Sequence, residues 1–347
     1  MPTPSRCHDT DTDPCKRLAA KLFVARDRLL AFDNYEEFLT ELIASFSGGK
    51  PPLLIAGHPD LSVTRAASRS GLTPTEIVGT NPFAVDTARI VRCALTGREI
   101  IWIANPNPIS GAAVGLNDLR RLAQAVPEGA LIVDERYFEF YRITALSLIE
   151  EFPRIITLRC RSLLPSDFRA ASGFAVAGPV RVAAMSNRKG WKRLAVMPDE
   201  ISGGSELDSH RIRVVHEQSM KIANSLQQHG LRPRLSATDQ VLIPVTKPQM
   251  VQDYLAELDI AVDNLNIHAG LTGYVRYRVQ SASTNDRLLR ALRQMPEELL
   301  VAERATGRRL RFRRPAGQYR TGSLRLADPT PVRGTEVLTE VRYAGGV

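Results

Sequence analysis

An α/β protein with a mostly parallel sheet held between helices, followed by a smaller α+β domain, is the fold class this sequence predicts. Three observations point there. Short apolar runs over 100–104, 130–133 and 155–158 carry almost no polar interruption, the pattern of strands buried on both faces. A helical pattern over 117–124 lies between the first two, giving the strand–helix–strand order of a parallel sheet. The three runs end on Asn105-Pro106-Asn107-Pro108, on Asp134-Glu135, and on Arg159 with Ser162. Open α/β sheets place their ligands at that end of the strands.

The elements follow in order. Residues 1 to about 15 are polar and expected to be disordered, and 17–30 has helical spacing. The spacing predicts an amphipathic helix over 34–46, with Phe38, Leu42 and Phe46 on one face and Asp33 as its N-cap. A strand over 51–56 ends in Gly57-His58-Pro59-Asp60, where His58 reads as a surface loop histidine rather than a ring-stacking group or a base. A helix over 61–70, a short strand over 76–78 and a helix over 83–95 come next. After the three apolar runs come a strand over 174–177, a basic helix over 180–192 and a glycine-containing loop over 201–205. A long helix over 210–229 has Ile212, Val215, Met220, Ile222 and Leu226 as its apolar positions. The smaller domain holds a strand within 231–244, a helix over 249–258, and a last strand and helix within 270–293. The expected organisation is an arm over 1–30, a large domain over 31–208, a small domain over 209–303 and a basic tail over 304–347.

Composition bounds the function. With 347 residues, one large and one smaller domain are expected. Hydrophobic residues at 44% and charged residues at 24% are those of an ordinary globular protein. No apolar run approaches the about 20 residues of a membrane span, so no membrane partner and a cytoplasmic location are expected. Cys7, Cys15, Cys93 and Cys160 form no CxxC pair, and Cys7-His8 with Cys15 lacks a fourth ligand, so no metal site is assigned. The net charge of +9 owes much to Arg304, Arg308, Arg309, Arg311, Arg313 and Arg314. Such a block reads as a solvated tail, and without a nucleic-acid-binding motif no nucleic-acid partner is expected.

Particular motifs carry a resemblance. Asn105-Pro106-Asn107-Pro108-Ile109-Ser110-Gly111 resembles the Asn-Pro-Asn-Asn-Pro-Thr-Gly of the class I/II (fold type I) aminotransferases, one residue short. Asp134-Glu135-Arg136-Tyr137-Phe138-Glu139-Phe140 resembles their Asp-Glu-Ala-Tyr-x-x-Phe. Arg159-Cys160-Arg161-Ser162-Leu163 stands where they have Arg-Thr-x-Ser-Lys. The similarity is greatest to histidinol-phosphate aminotransferase and threonine-phosphate decarboxylase, and it covers about residues 34–300. It implies a fold type I large domain, pyridoxal 5'-phosphate as cofactor and a site at a dimer interface. It further implies that Asp134 pairs with the pyridinium nitrogen, that Asn107 and Tyr137 hold the ring oxygen, and that Ser162 touches the phosphate. Arg276 matches the arginine that clamps the substrate carboxylate, with Arg278 able to assist.

Against that resemblance stand four departures. Leu163 occupies the place of the Schiff-base lysine, and no lysine occurs between Lys50 and Lys189. Without such an amine there is no internal aldimine and no lysine base. Ala171 stands where a phosphate-binding arginine is expected, with Arg169 two residues earlier. Leu30-Ala31-Phe32-Asp33 replaces the glycine and hydroxyl of the phosphate turn. The substrate-covering arm, with its Asn-Pro-Tyr-Gly, has no counterpart. Lys189 and Lys192 are the nearest later lysines, on the helix expected to lead toward the dimer contact.

Besides a module that binds an anionic polymer through the basic tail, two functions remain open. One is a degenerate aminotransferase-like protein that binds an amino-acid-like or phosphorylated anion, or a partner subunit, as a homodimer or heterodimer. The other is an active enzyme, pyridoxal-phosphate dependent or cofactor-free, acting on an amino acid or its phosphate, with Asp134, Tyr137 and His58 as acid/base groups.

Overall fold

The computed structural model describes residues 14–160, 172–186 and 206–300. Seven strands form the first sheet: β1 (Leu29–Phe32), β2 (Leu53–Ala56), β3 (Pro74–Ile77), β4 (Ile100–Ala104), β5 (Ala130–Asp134), β6 (Ile155–Cys160) and β7 (Gly173–Val176). Their order is β1-β7-β6-β5-β4-β2-β3. Strands β2 to β6 pair in parallel, while β7 runs antiparallel to β6 and β1 antiparallel to β7. The fold is therefore α/β with a mostly parallel sheet between helices.

The apolar runs divide their side chains between two cores. Ile101, Ile103, Leu131 and Val133 point to one face; Ile100, Trp102 and Ile132 point to the other. That alternation is the two-residue period of a strand, with both faces covered. Helix α1 (Pro14–Lys21) comes first in the chain, and α2 (Tyr35–Ala44) and α3 (Leu61–Arg69) cover one face through Phe38, Leu39, Leu42, Val63 and Ala66. Helices α4 (Thr87–Cys93) and α5 (Leu116–Ala125) cover the other through Ile90, Leu119 and Leu122. The short α6 (Phe138–Tyr141) follows β5, and α7 (Pro179–Ser186) follows β7.

After the long α8 (Glu206–Gln228), a second sheet is built from β8 (Arg234–Leu235), β9 (Gln240–Pro244), β10 (Asp263–Asn264) and β11 (Tyr274–Arg278), with α9 (Pro248–Ala256), α10 (Ala282–Gln294) and α11 (Glu297–Leu300). Its order is β10-β11-β9-β8, antiparallel throughout. Val241, Ile243, Val275 and Tyr277 turn to a core shared with Val251, Leu255, Leu288 and Leu292. The opposite face carries Gln240 and Leu242 beside Arg278 and Arg276, their register partners. Leu242 packs there with Ile109, Leu265 and Leu271, so this face meets the loop that follows β4.

Three elements differ from the sequence reading. Leu29 and Leu30, expected to finish a helix over 17–30, open a strand over Leu29–Phe32 with all four residues buried, because the edge of β7 supplies the ladder. The N-cap of α2 is Asn34, whose side chain accepts from the Glu37 N–H at 2.9 Å, and not Asp33. The helix expected from residue 83 begins at Thr87, since the Asn81 side chain holds the Phe83 N–H in a turn at 3.0 Å. Among the described residues no helix is long and apolar enough to cross a membrane, and no group of three or more His, Cys, Asp or Glu residues could hold a metal ion.

Candidate functional site

The parallel strands β2, β4, β5 and β6 release their loops at one edge, and there the sequence-assigned groups meet. Asn107 sits in the turn after β4. Its amide donates to the His58 carbonyl at 2.7 Å, while its side-chain oxygen accepts from the N–H groups of Ile109 at 2.9 Å and Ser110 at 3.0 Å. Both ends of the side chain thus serve the turn. Gly111 completes it with φ +71°, and a Cβ there would lie 2.0 Å from Ser236 Cβ. Only glycine allows this approach of the β4 loop to the second sheet.

Asp134, the last residue of β5, is fully buried. Its Oδ2 accepts from the Tyr35 hydroxyl at 2.6 Å and from Arg136 Nε at 2.8 Å, and Arg136 Nη2 bonds the same oxygen. Its Oδ1 accepts from the Arg136 backbone N–H at 3.2 Å. The Arg136 side chain also pairs with Asp60 Oδ2 at 2.6 Å, bonds the Tyr35 hydroxyl, and lies 4.5 Å over the Tyr35 ring. Asp60 caps α3 through Ser62 and Val63 at the same time. Burial drives the Tyr35 hydroxyl well above its ordinary pKa, opposed by the Arg136 charge, so it stays a donor. Burial alone would lower the Arg136 pKa, but the two carboxylates hold it well above the usual arginine value.

The neighbouring Glu135 is also buried and bound. It accepts from Thr144 Oγ1 at 2.8 Å and from Arg159 Nε at 3.0 Å, and Arg159 stacks on the Phe138 ring at 3.5 Å. Burial raises the Glu135 pKa, with Arg159 the chief opposing influence. Glu135 and Arg159 therefore tie the ends of β5 and β6 together.

On the second sheet, Arg276 donates from Nε and Nη2 to Asp263 Oδ2 at 2.9 and 2.7 Å, and from Nη1 to the Pro108 carbonyl. The carboxylate on Arg276 is therefore the chain's own, and it is 63% exposed. Tyr137 is buried, its hydroxyl 3.4 Å from the Gln240 amide nitrogen; burial raises its pKa, with Asp239 adding to the rise. Arg278 Nε lies 3.5 Å from Asp239 Oδ2.

His58, expected on the surface, is 2% exposed. Its ring meets the edge of His268 at 5.7 Å between centroids. Burial, aided by His268, pushes its pKa down to about 4, so the ring is neutral near pH 7. Ser162, Leu163, Arg169, Ala171, Lys189 and Lys192 lie outside the described residues.

Asn107, Asp134 and Tyr137 thus stand at one sheet edge, and Arg276 reaches it from the other sheet. Tyr35, Asp60, Asp239 and Asp263 join them without having been assigned from the sequence. One sequence signal did exist: Arg136 fills a motif position where the aminotransferases carry alanine.

No protein-family model matches the chain. A histidinol-phosphate aminotransferase from Mycobacterium sp. (strain JLS) is 28% identical over 293 residues, covering 80% of this chain and 74% of the relative. The structure of L-threonine-O-3-phosphate decarboxylase from Porphyromonas gingivalis superposes with a TM-score of 0.65 at 16% identity, over 81% of this chain and 87% of that one. Histidinol-phosphate aminotransferase from Sinorhizobium meliloti, solved in complex with pyridoxal-5'-phosphate, gives 0.62 at 16% identity, over 80% of this chain and 79% of that one. The solved structures establish a shared fold.

Proposed function

We propose that this chain, similar to the histidinol-phosphate aminotransferases, is a class I/II (fold type I) aminotransferase family member that has given up transamination and keeps a binding role for an amino-acid-like carboxylate. One observation carries this reading: the buried Asp134 already faces a cation of its own chain. In the family resemblance that carboxylate pairs with the pyridinium nitrogen of pyridoxal phosphate. Here Arg136 supplies the positive charge, and both carboxylate oxygens are bonded.

These residues do not fit the cofactor. A pyridinium group at Asp134 would have to displace Arg136, which already bonds both carboxylate oxygens. The side-chain oxygen of Asn107, implied with its amide to hold the ring oxygen, is bonded by Ile109 and Ser110, and one of the two amide hydrogens is given to His58. No lysine lies between Lys50 and Lys189 to bind an aldehyde. The carboxylate contact is different in kind. Asp263 holds Arg276 from a largely exposed position, and exposed ion pairs contribute at most about 1 kcal/mol. An incoming carboxylate can replace it and gain the planar two-point geometry of a guanidinium. The assembly this reading expects is a dimer, with itself or with a related subunit.

The test is direct. Purified protein is mixed with pyridoxal phosphate, its absorbance recorded, and the sample reduced with borohydride and weighed intact. The expected result is an unchanged spectrum and no adduct at a defined residue. A stoichiometric pyridoxyl adduct mapped to one lysine would overturn the reading.

A further inference from the structure

Three buried acceptor atoms in one dipeptide have no hydrogen-bond partner: Asp239 Oδ1, Asp239 Oδ2 and Gln240 Oε1. Both side chains are at least nine-tenths buried. A buried acceptor left unmet costs about 1–3 kcal/mol, and native proteins keep few of them. Three at adjacent positions, beside the strand-end site, indicate capacity reserved for a donor that the chain does not supply.

The surroundings define that donor. Gln240 and Arg278 are register partners on the face that also carries Arg276. The Gln240 amide nitrogen donates to the Tyr137 hydroxyl at 3.4 Å, and Arg278 Nε lies 3.5 Å from Asp239 Oδ2. Burial raises the Asp239 pKa, while Arg278, Arg276 and the Tyr137 hydroxyl lower it. Arg278 and the Tyr137 hydroxyl thus lie against the Asp239 carboxyl without a hydrogen bond of full geometry to it. A group that brings its own hydrogens and positive charge would meet all three acceptors through charge-assisted bonds.

We propose that Asp239 and Gln240 form an ammonium-recognition site which, beside Arg276, selects α-amino acids with a free amine over simple carboxylates. An α-amino acid carries its ammonium and carboxylate on one carbon, so its site must offer an anion and a cation within a few bond lengths. Asp239 and the Arg276–Arg278 pair form such a juxtaposition. This rests on the reading that Arg276 takes a carboxylate. It adds that the amine stays free, held by hydrogen bonds and consumed in no covalent step.

The full-length protein is titrated, by calorimetry or thermal shift, with the proteinogenic L-amino acids and with the N-acetyl derivative of each. Acetylation removes the ammonium and keeps the carboxylate and side chain. At least one amino acid is expected to bind in the millimolar range or better, with its N-acetyl derivative weaker by about tenfold or more. Asp239→Asn, nearly isosteric, is expected to lose most of that preference. The wild-type comparison stands even where the variant is unstable. Equal binding of amine and N-acetyl forms overturns the ammonium site while leaving the carboxylate reading intact. Absence of binding up to about 10 mM overturns both, and assigns the three acceptors to water. A pyridoxyl adduct would overturn the cofactor-free reading without touching this comparison.

Discussion

On the large-sheet side of the site, the buried Asp134, Arg136 and Tyr35 meet one another and the partly buried Asp60 with short hydrogen bonds. On the small-sheet side, Asp239 and Gln240 are equally buried yet keep three acceptors unmet, and Arg276 is held by a partner that is 63% exposed. The two regions have opposite degrees of satisfaction. A saturated buried network resists any new ligand, because each entrant must first break a paired charge. An unsaturated one gains from a ligand what the chain has left unmade. The difference places stability on the β5 side and binding on the β9–β11 side.

The sharpest way to break that comparison is to remove Arg136. Arg136→Ala leaves the buried Asp134 and the partly buried Asp60 with their common cation gone. The expected loss is about 3–5 kcal/mol of folding stability, measured by urea unfolding. A loss below about 1 kcal/mol would mean that the network is not the structural half of the site. Asp134→Asn should lose less than Arg136→Ala, since the amide oxygen still accepts from Tyr35 and no lone carboxylate remains.

A second effect comes from His58, which sits between the two regions against His268. Its folded pKa is about 4, against about 6.5 in an unfolded chain. Between these values the unfolded state binds more protons, so stability rises with pH. The contribution is complete above pH 6.5 and is lost as the pH falls toward 4. A shift of this size corresponds to about 3–4 kcal/mol. His58→Phe keeps a ring against His268 and removes the titration. Unfolding free energies of the variant, measured from pH 7 to 4, should show a slope shallower by about one proton than the wild type. Parallel slopes would show that His58 does not stay neutral in the folded protein.

The two regions were also unequally legible in the sequence. The three apolar runs and their polar ends gave β4, β5 and β6, because a strand buried on both faces writes its burial into consecutive residues. Asp134, Asn107 and Tyr137 were readable because strand ends place polar groups at fixed points. Leu29–Phe32 was not readable as a strand: four apolar residues fit a helix as well as an edge, and only β7 decides between them. The burial of His58 depends on His268, far along the chain, and no local pattern encodes such a contact. Arg136 was visible as a bulky charge at a small-residue position. Its meaning depended on Asp60, the N-cap of α3, and on Tyr35, the first residue of α2. The open acceptors of Asp239 and Gln240 are a property of assembled geometry, since any sequence contains polar dipeptides that fold satisfied.

The smallest expected effect is the most informative about function. Asp263→Ala removes a largely exposed partner of Arg276, and its stability cost should stay below about 1 kcal/mol. Arg276 would keep its bond to the Pro108 carbonyl and lose its internal carboxylate. A ligand carboxylate then no longer competes with Asp263, so affinity for an amino acid that binds the wild type should rise several-fold. The N-acetyl form should gain by a similar factor, because Asp263 competes only for the guanidinium. Calorimetric titration of both ligands into both proteins separates the contacts: Asp263 sets the strength of carboxylate binding, and Asp239 with Gln240 sets the preference for the amine. If Asp263→Ala weakens binding, the aspartate is part of the ligand contact rather than its stand-in. The small-sheet side would then be as self-contained as the large-sheet side.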